Sequence, residues 1–438
     1  MGKKEIQWLY GEIPQWIREE ILTEEAGARL HERYGEAGPS LGRNLGLVIS
    51  SILGALLVGS GIVLLVAHNW DNLTRPVRTL LSFGLLLAAQ GLAGWVLWHD
   101  KRSPAWREGV ATFLVLAVGA CVSLIAQTYQ IIGDPGDFLL TCTILSAPVI
   151  YLLGASVPAI LYLAAIAAWA GVSRPHNVLF WILAAAVLPF FWQAAKRRPD
   201  DYRTRFLFWA LPVALAFGVG YTLDYRIPGI FFLAQAALFA LLYLAGLPFQ
   251  DEEPIRWRQP LQVVGALGLI ILSAVLSYRE AWRSMDRFPM RWPATFVEFQ
   301  TGAYDYGLTL LLSLAAVALT ILRIRRVRHS GIEFGVAPAV FWLAYLLARS
   351  GAGAWPSVIM LNLYLLSLGV GTLWAGLRKE QIRIVNVGML IIAILIMLRF
   401  FDSGVGFMVR GVAFIMVGLA FLTANVLLLR RVKGVSRE

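Results

Sequence analysis

A polar cluster follows the first long apolar segment of the chain, in the sequence AHNWDNLTRP at residues 67–76. It places an imidazole, a carboxamide, an indole and a carboxylate on consecutive residues, His68, Asn69, Trp70 and Asp71. A neutral imidazole beside a carboxylate can act as a general base, a proton relay or a metal ligand. A helix-capping turn at the membrane surface explains the carboxamide, carboxylate and indole equally well. Only the imidazole is left unexplained by that structural interpretation.

A second polar turn, QTYQIIGDPGDF at residues 127–138, follows a later apolar segment. Its glycines and proline predict a turn in which Asp134 and Asp137 accept backbone hydrogen bonds or cap the next helix. The two carboxylates could instead bind a cation or handle a proton, although the spacing of a dedicated calcium loop is missing. Gln127 and Tyr129 add hydrogen-bonding groups suited to a sugar or a lipid headgroup.

Four arginines recur at intervals of four residues in REAWRSMDRFPMRW, at Arg279, Arg283, Arg287 and Arg291. On a helix their guanidinium groups form one stripe that can bind phosphates through paired hydrogen bonds. Lipid phosphates are the expected contact, with Trp282 dipping into the membrane interface. The alternative contact is a substrate pyrophosphate.

The end of the chain echoes its first polar cluster. Asp71 precedes Arg78 by seven residues, and Asp402 precedes Arg410 by eight, each pair between two apolar segments. The echo is either the remnant of an internal repeat or chance in a chain of helical hairpins. Arg399, near the same segment end as Asp402, is expected to reach lipid headgroups or to join the polar site.

The elements that position these residues are transmembrane helices. Hydrophobic residues make up 58% and charged residues 15% of the chain, with a mean hydropathy of +0.67, which excludes a soluble core. Apolar runs of about twenty residues predict an all-α, polytopic helical bundle. We place about fourteen spans at 45–66, 77–98, 107–126, 138–153, 156–172, 177–195, 205–222, 228–247, 260–278, 305–323, 333–349, 355–377, 382–400 and 407–429.

The pair 138–153 and 156–172 allows two interpretations. Both segments are short and contain a proline, Pro148 and Pro158, so they form either two tilted spans or one re-entrant hairpin. The bundle then has fourteen spans, or twelve plus a hairpin, and the orientation of later spans is the same in both cases.

The basic residues predict the orientation of the bundle. Lys and Arg number 38 against 27 acidic residues, and the basic residues concentrate in every second connection. The positive-inside rule then places both termini in the cytosol of a prokaryotic cell, in its inner membrane. Membrane lipids are the expected partners of this excess positive charge, and nucleic acid is not.

Residues 1–43 are predicted to form a separate cytosolic domain before the transmembrane domain, 44–438. Apolar residues at helical spacing indicate an amphipathic helical hairpin, in which Thr23 caps the second helix. This hairpin either binds a protein partner or mediates self-association, or it lies on the membrane or on the protein's own loops.

Several kinds of chemistry have no support in the sequence. No Asp, Glu or Lys lies at the centre of a predicted span, and no phosphate-binding glycine loop, HExxH helix or GxSxG motif occurs. Cys121 and Cys142 lie inside apolar runs, where they are expected to be inert. We therefore predict no cofactor, no metal and no catalytic residue, and we leave enzymatic activity open.

Three segments carry a family resemblance: IPQWIREEILTEEAGARLHERYG, LLVAHNWDNLTRPVR and AQTYQIIGDPGDF. The closing segment from Arg399 is consistent with it. In these segments the chain resembles an uncharacterised prokaryotic membrane family, a domain of unknown function. The resemblance implies a polytopic inner-membrane protein and carries no established activity.

The polar residues that fall on the predicted outer side form our candidate substrate site: His68, Asn69, Trp70, Asp71, Arg78, Gln127, Tyr129, Asp134, Asp137, Arg399, Asp402 and Arg410. The first hypothesis is a flippase-like transporter for a lipid-linked or amphiphilic substrate, which requires a cavity reaching into the bilayer. The second is an enzyme acting on a lipid-phosphate-linked donor, with His68 or Asp71 as base. The third is a sensor or scaffold, which requires a tightly packed bundle with Asp71 and Asp134 only capping helices.

Overall fold

The computed structural model describes most, but not all, of the chain. The described residues are 3–34, 70–101, 103–173, 178–199, 201–223, 227, 229–247, 258–286, 296–326, 332–350, 353–400, 408, 411–412, 415–416 and 418–419. The predicted first span and most of the last lie outside them. So do six of the predicted site residues: His68, Asn69, Arg287, Arg291, Asp402 and Arg410.

The described residues form sixteen α-helices and no strand, which confirms the all-α prediction. A short 3₁₀ turn covers Trp70–Asn72. The helices are α1 (Lys3–Arg18), α2 (Glu24–Tyr34), α3 (Arg75–Trp98), α4 (Pro104–Tyr129), α5 (Pro135–Leu153), α6 (Ser156–Val172), α7 (Val178–Arg197), α8 (Tyr202–Thr222), α9 (Ile230–Gly246), α10 (Gln259–Leu276), α11 (Arg279–Asp286), α12 (Phe296–Arg326), α13 (Ile332–Gly335), α14 (Ala337–Arg349), α15 (Trp355–Arg378) and α16 (Ile382–Phe400).

Each of the twelve predicted spans within the described residues is helical, and the span 333–349 is divided between α13 and α14. Nine of these helices are long and apolar enough to cross a membrane: α3, α4, α5, α7, α8, α10, α12, α15 and α16. Three further apolar helices are shorter, namely α6, α9 and α14. The protein is therefore a polytopic, membrane-embedded helical protein.

The chain divides into two compact units, residues 1–80 and 81–438. In the first unit α1 and α2 form the predicted hairpin, and the Oγ1 of Thr23 accepts a hydrogen bond from the N–H of Ala26 at 3.3 Å. A Cβ placed on Gly27 would lie 3.3 Å from side-chain carbons of Ile13 and Ile17, so the two helices pack closely there. The predicted domain boundary at residue 43 lies outside the described residues.

The second unit is a helical bundle whose centre is α9. Ala236, Ala237 and Ala240 of this helix are completely buried, and α9 contacts α8, α10, α12 and α14. Small residues allow this close approach. A Cβ on Gly265 of α10 would lie only 2.5 Å from the backbone nitrogen of Tyr243, so the backbones of α9 and α10 touch at this glycine.

The α5–α6 pair consists of two full helices joined by a tight turn. Gly154 has a left-handed conformation with φ +61, and Pro158 lies in the first turn of α6, where its missing N–H is not needed. Both carboxylate oxygens of Glu108, near the start of α4, accept the N–H of Ser156 at 2.8 Å. The turn therefore lies beside the start of α4, which favours two spans over a re-entrant hairpin.

These contacts define two ends of the 81–438 bundle. We call the end where α4, α6 and α8 begin the Glu108 end. The opposite end of α4, where it ends at Tyr129 and α5 begins after Asp134, we call the Asp134 end.

Candidate functional site

A cavity of about 840 Å³ lies between α3, α4 and α5. These helices pack against one another elsewhere, through the buried side chains of Ala93 and Val96 on α3 and Val110 and Ala111 on α4. Along the other part of α3 the cavity separates it from α4 and α5. The lining residues are Phe83, Leu86, Gln90, Val118, Cys121, Val122, Ser123, Ile125, Ala126, Ile131, Gly133, Asp134, Pro135, Asp137, Phe138, Thr141 and Leu145.

The cavity is polar at the Asp134 end and mainly apolar in its depth. Asp134 and Asp137 lie at the start of α5, whereas Leu145 lies about 15 Å along that helix. On α4, Val118 lies about 16 Å from the helix end at Tyr129. These depths reach about half of the ~30 Å hydrocarbon core of a bilayer.

The turn that presents the two carboxylates is held by local hydrogen bonds. Gln130 adopts a left-handed conformation with φ 52, and the N–H of Ile131 donates to the carbonyl oxygen of Ala126 at 2.9 Å. This arrangement closes the end of α4. Asp134 then caps α5, since its Oδ1 accepts the N–H of Gly136 at 3.1 Å. The predicted capping role of Asp134 is therefore observed.

The carboxylate of Asp137, on the same turn, differs from that of Asp134 in its hydrogen bonding. Its side chain is exposed, and its carboxylate makes no hydrogen bond or ion pair with any residue that the structure describes. Gln127 and Tyr129 are also exposed, but they are not among the lining residues of the cavity. Of the four predicted site residues on this turn, Asp134 and Asp137 therefore share the cavity.

Two of the predicted site residues in the first unit, Trp70 and Arg78, contact each other. The guanidinium carbon of Arg78 lies 5.8 Å from the ring centre of Trp70, and Arg78 Nε donates to the carbonyl oxygen of Leu73 at 3.0 Å. Trp70 is buried. The backbone of Asp71 lies in the 3₁₀ turn with Trp70. A cation–π contact thus stabilises the start of α3.

Arg399 lies at the end of α16 and binds the end of α10. Its Nη2 donates to the carbonyl oxygen of Ser277 at 3.0 Å and to the Oγ of Ser277 at 2.8 Å. Its guanidinium carbon lies 4.6 Å from the ring centre of Tyr278, whose hydroxyl donates to the carbonyl oxygen of Leu398. Arg399 thus joins two helices, and it is not among the residues lining the cavity.

The predicted arginine helix is present in part, as α11. Arg279 and Arg283 lie on it, and the guanidinium carbon of Arg279 is 5.6 Å from the ring centre of Trp355. The expectation that Trp282 dips into the membrane interface is wrong. Trp282 is 2% exposed, and its Nε1 donates to the carbonyl oxygen of Leu276 at 2.7 Å. The indole instead packs into the bundle, where that carbonyl satisfies its N–H.

The sequence analysis missed an acidic residue that organises the Glu108 end. Besides Ser156, the Glu108 carboxylate accepts the N–H of Val157 at 2.9 Å, and it lies 3.5 Å from Nη1 of Arg203. Arg203 also pairs with Asp201 at 2.8 Å. A carboxylate at the N-terminus of α6 is favourable because the helix leaves N–H groups unpaired there. A sequence signal existed, since Glu108 is an acid that follows the largely basic segment 101–107.

Arginine side chains at the Glu108 end also lower the pKa of Asp201. Burial alone would raise the pKa of its carboxyl, but hydrogen bonds from Arg203 and the charges of Arg203 and Arg198 outweigh this and hold the pKa below its usual range. The same carboxylate caps α8 by accepting the N–H of Arg203. Asp201 therefore stabilises this end in its ionised form.

A second residue that the sequence analysis missed is Gln235 of α9. It is 4% exposed, and its Nε2 donates to the carbonyl oxygen of Ala216 on α8 at 2.7 Å. It borders a smaller cavity of about 410 Å³ between α8, α9 and α10, lined mainly by apolar and aromatic side chains. A single carboxamide in the middle of an apolar run is the signal that could have identified it.

The described residues contain no group of three His, Cys, Asp or Glu side chains placed to hold a metal ion. Cys121 and Cys142 are both free, and Cys121 is buried in the wall of the larger cavity.

The fold and the cavity define a polytopic helical membrane protein with a cavity between three of its helices that carries two carboxylates at its Asp134 end. Residues 14–159 match the family described as "Predicted membrane protein (DUF2157)", a family of unknown function, which confirms the resemblance seen in the sequence. No curated protein and no solved structure is significantly similar to the chain. The matched range includes every residue that lines the larger cavity.

Proposed function

We propose that this membrane protein is a flippase-like transporter that takes an amphiphilic substrate into the cavity between α3, α4 and α5. The observation that carries the proposal is the polarity gradient of this cavity, with carboxylates at one end and mainly apolar walls further along, interrupted by Gln90, Ser123 and Thr141. An amphiphile has the same gradient, so its polar group and its chain can each find a matching environment.

The packing of the described residues at the Glu108 end supports a transport cycle. Val149 and Leu153 of α5 pack with Ala93, Val96 and Val110 into a buried cluster beyond the depth of the cavity. Glu108 then joins α4 to the start of α6 and to Arg203. We take the Asp134 end as the mouth of the cavity, opposite the packed Glu108 end, because alternating access requires a cavity that opens to one side at a time.

The proposed orientation follows from charge. The Glu108 end carries Lys196 and Arg197 in the last turn of α7, Arg198 in the adjoining connection, and Arg203 and Arg205 at the start of α8. The positive-inside rule assigns this end to the cytosol. The Asp134 end and the mouth of the cavity then face outward.

Transport can be tested with the full chain reconstituted into liposomes. Dithionite quenching follows the movement of two NBD-labelled single-chain amphiphiles, a glucoside and a quaternary ammonium. Ser123→Trp fills the cavity from its α4 wall, and we expect it to slow transport about fivefold or more, since a large side chain in a ligand pocket excludes the ligand.

Leu116→Trp is the matched control, because Leu116 is an exposed residue of α4 outside the cavity lining. It should transport at the rate of the unsubstituted protein. Equal rates in both variants, or no protein-dependent quenching with either probe, would contradict transport through this cavity.

A second candidate function, docking through residues 1–43, has one supporting observation. Ile21, in the turn between α1 and α2, is 66% exposed and offers an apolar contact for a protein partner or a second copy. If the hairpin mediates self-association, Ile21→Glu lowers the oligomer mass measured by light scattering, whereas the neighbouring exposed substitution Glu20→Gln leaves it unchanged.

A further inference from the structure

We infer that the cavity between α3, α4 and α5 selects amphiphiles with a cationic headgroup, an ammonium carried on a single alkyl chain, over amphiphiles with a phosphate or sulfate. This inference rests on the proposed function, because it concerns the substrate class of the same cavity. The expected headgroup of the substrate changes from a lipid phosphate to a positively charged group.

The first argument is the charge of the cavity mouth. Asp134 and Asp137 line it, and no Arg, Lys or His is among the described lining residues. One oxygen of Asp134 is engaged in capping, whereas the Asp137 carboxylate has no hydrogen-bond or ion-pair partner in the described part of the chain. The α5 N-terminus offsets only about half an elementary charge. The mouth is therefore net negative and complementary to a cation.

The second argument is the apolar wall beside the carboxylates. Phe83 of α3 and Phe138 of α5 line the cavity together with Asp137. Aromatic rings favour quaternary and primary ammonium groups through cation–π attraction, and they offer nothing comparable to an anion. Leu86, Val118 and Leu145 continue the wall and suit an alkyl chain.

The third argument concerns the arginines that a phosphate would need. Arg399 is bound to Ser277 and stacked on Tyr278, and Arg279 lies over Trp355. Neither lines the cavity. A phosphate in the cavity would thus meet two carboxylates and no guanidinium group among the described lining residues, which is an unfavourable arrangement.

The inference can be tested by photolabelling the full chain in lipid nanodiscs. The probe is a dodecylammonium with a diazirine at the end of its chain, and mass spectrometry identifies the labelled peptides. We expect labels on the cavity stretches of α4 and α5. Excess dodecyltrimethylammonium should remove the label, dodecyl glucoside should do so less effectively, and dodecyl sulfate should have the weakest effect.

The double variant Asp134→Asn, Asp137→Asn removes both charges and keeps a good capping residue on α5. It should lower labelling by the ammonium probe about tenfold. Labelling by a diazirine-bearing dodecyl glucoside should persist, which shows that the variant retains a folded cavity. Glu280→Gln, a substitution of an exposed acid outside the cavity, should leave both signals unchanged.

Two results would overturn the inference in distinguishable ways. If dodecyl sulfate competes as well as dodecyltrimethylammonium, or if the double variant keeps full ammonium labelling, charge selection is wrong while amphiphile binding stands. If neither probe labels the cavity stretches, another segment or a second copy fills the cavity, and both the inference and the proposed function fail.

Discussion

The helices around the larger cavity and the helices around α9 pack in opposite ways. α3 exposes large apolar side chains such as Leu87 and Leu92, and it touches α4 and α5 through small residues near one end. α9 buries twelve of its 17 residues, and its backbone touches α10 at Gly265. The comparison shows that the same hydropathy pattern occurs in the loosely packed helices α3 and α4 and in the close-packed helices around α9. The difference arises because small residues determine how near two helices approach.

The largest expected effect comes from adding a methyl group to Gly265 in the close-packed region. The same change at Gly84, beside the larger cavity, is the comparison. Gly265→Ala forces a Cβ to within 2.5 Å of backbone nitrogen in α9, so α9 and α10 must separate. We expect a loss of about 3 kcal/mol or more in unfolding free energy, or failure to fold, because the contact is with backbone that cannot move aside. In Gly84→Ala on α3, the new Cβ has no atom of the described residues within 4 Å, so this substitution should be neutral or stabilising.

Thermal unfolding in detergent, followed by circular dichroism, measures both glycine variants. Equal unfolding temperatures would show that the two regions do not differ in packing as described.

The second prediction concerns the contact of Glu108 on α4 with the start of α6 and with Arg203 of α8. Glu108→Ala leaves the N–H groups of Ser156 and Val157 without their carboxylate and removes the ion pair with Arg203. We expect a cost of roughly 1.5–3 kcal/mol, because these are charge-assisted hydrogen bonds at a largely buried site. Denaturation of Glu380→Ala, which changes an exposed acid, provides the reference. A smaller cost for Glu108→Ala than for this control would contradict the role of Glu108.

The third prediction is a pH dependence at the same end. The pKa of Asp201 is lowered in the folded protein, so its contribution to stability is present above the usual carboxyl pKa of about 4 and is lost as the pH falls through the lower folded value. Asp201→Asn, which can still cap α8, should show a smaller drop in unfolding temperature between neutral and acidic pH. An identical drop in the variant and the unsubstituted protein would argue against this linkage.

The smallest expected effect on stability is at the mouth of the cavity. Asp137→Asn alters an exposed carboxylate without a described partner, so the unfolding free energy should change by less than about 0.5 kcal/mol. Binding of the ammonium probe should nevertheless weaken. A large loss of stability would indicate that Asp137 has a structural role instead.

Much of the fold was predictable because its signals are local. All twelve predicted spans in the described residues are helical, and Thr23 and Asp134 cap the helices that follow them. Only part of the predicted site lies together in the structure. Asp134 and Asp137 share a cavity because they are neighbours on one turn, whereas Arg399 contacts α10, a partner that spacing along the chain does not reveal.

The sequence by itself determined the helices, their membrane character and the carboxylates of the 130–137 turn, since hydropathy and turn chemistry act over a few residues. Only the tertiary structure decided that Trp282 is buried, that Glu108 binds the start of α6, and that α3 stands away from α4 to leave a cavity. These features depend on which helix surfaces meet, and that is set by the packing of small residues far apart in the chain.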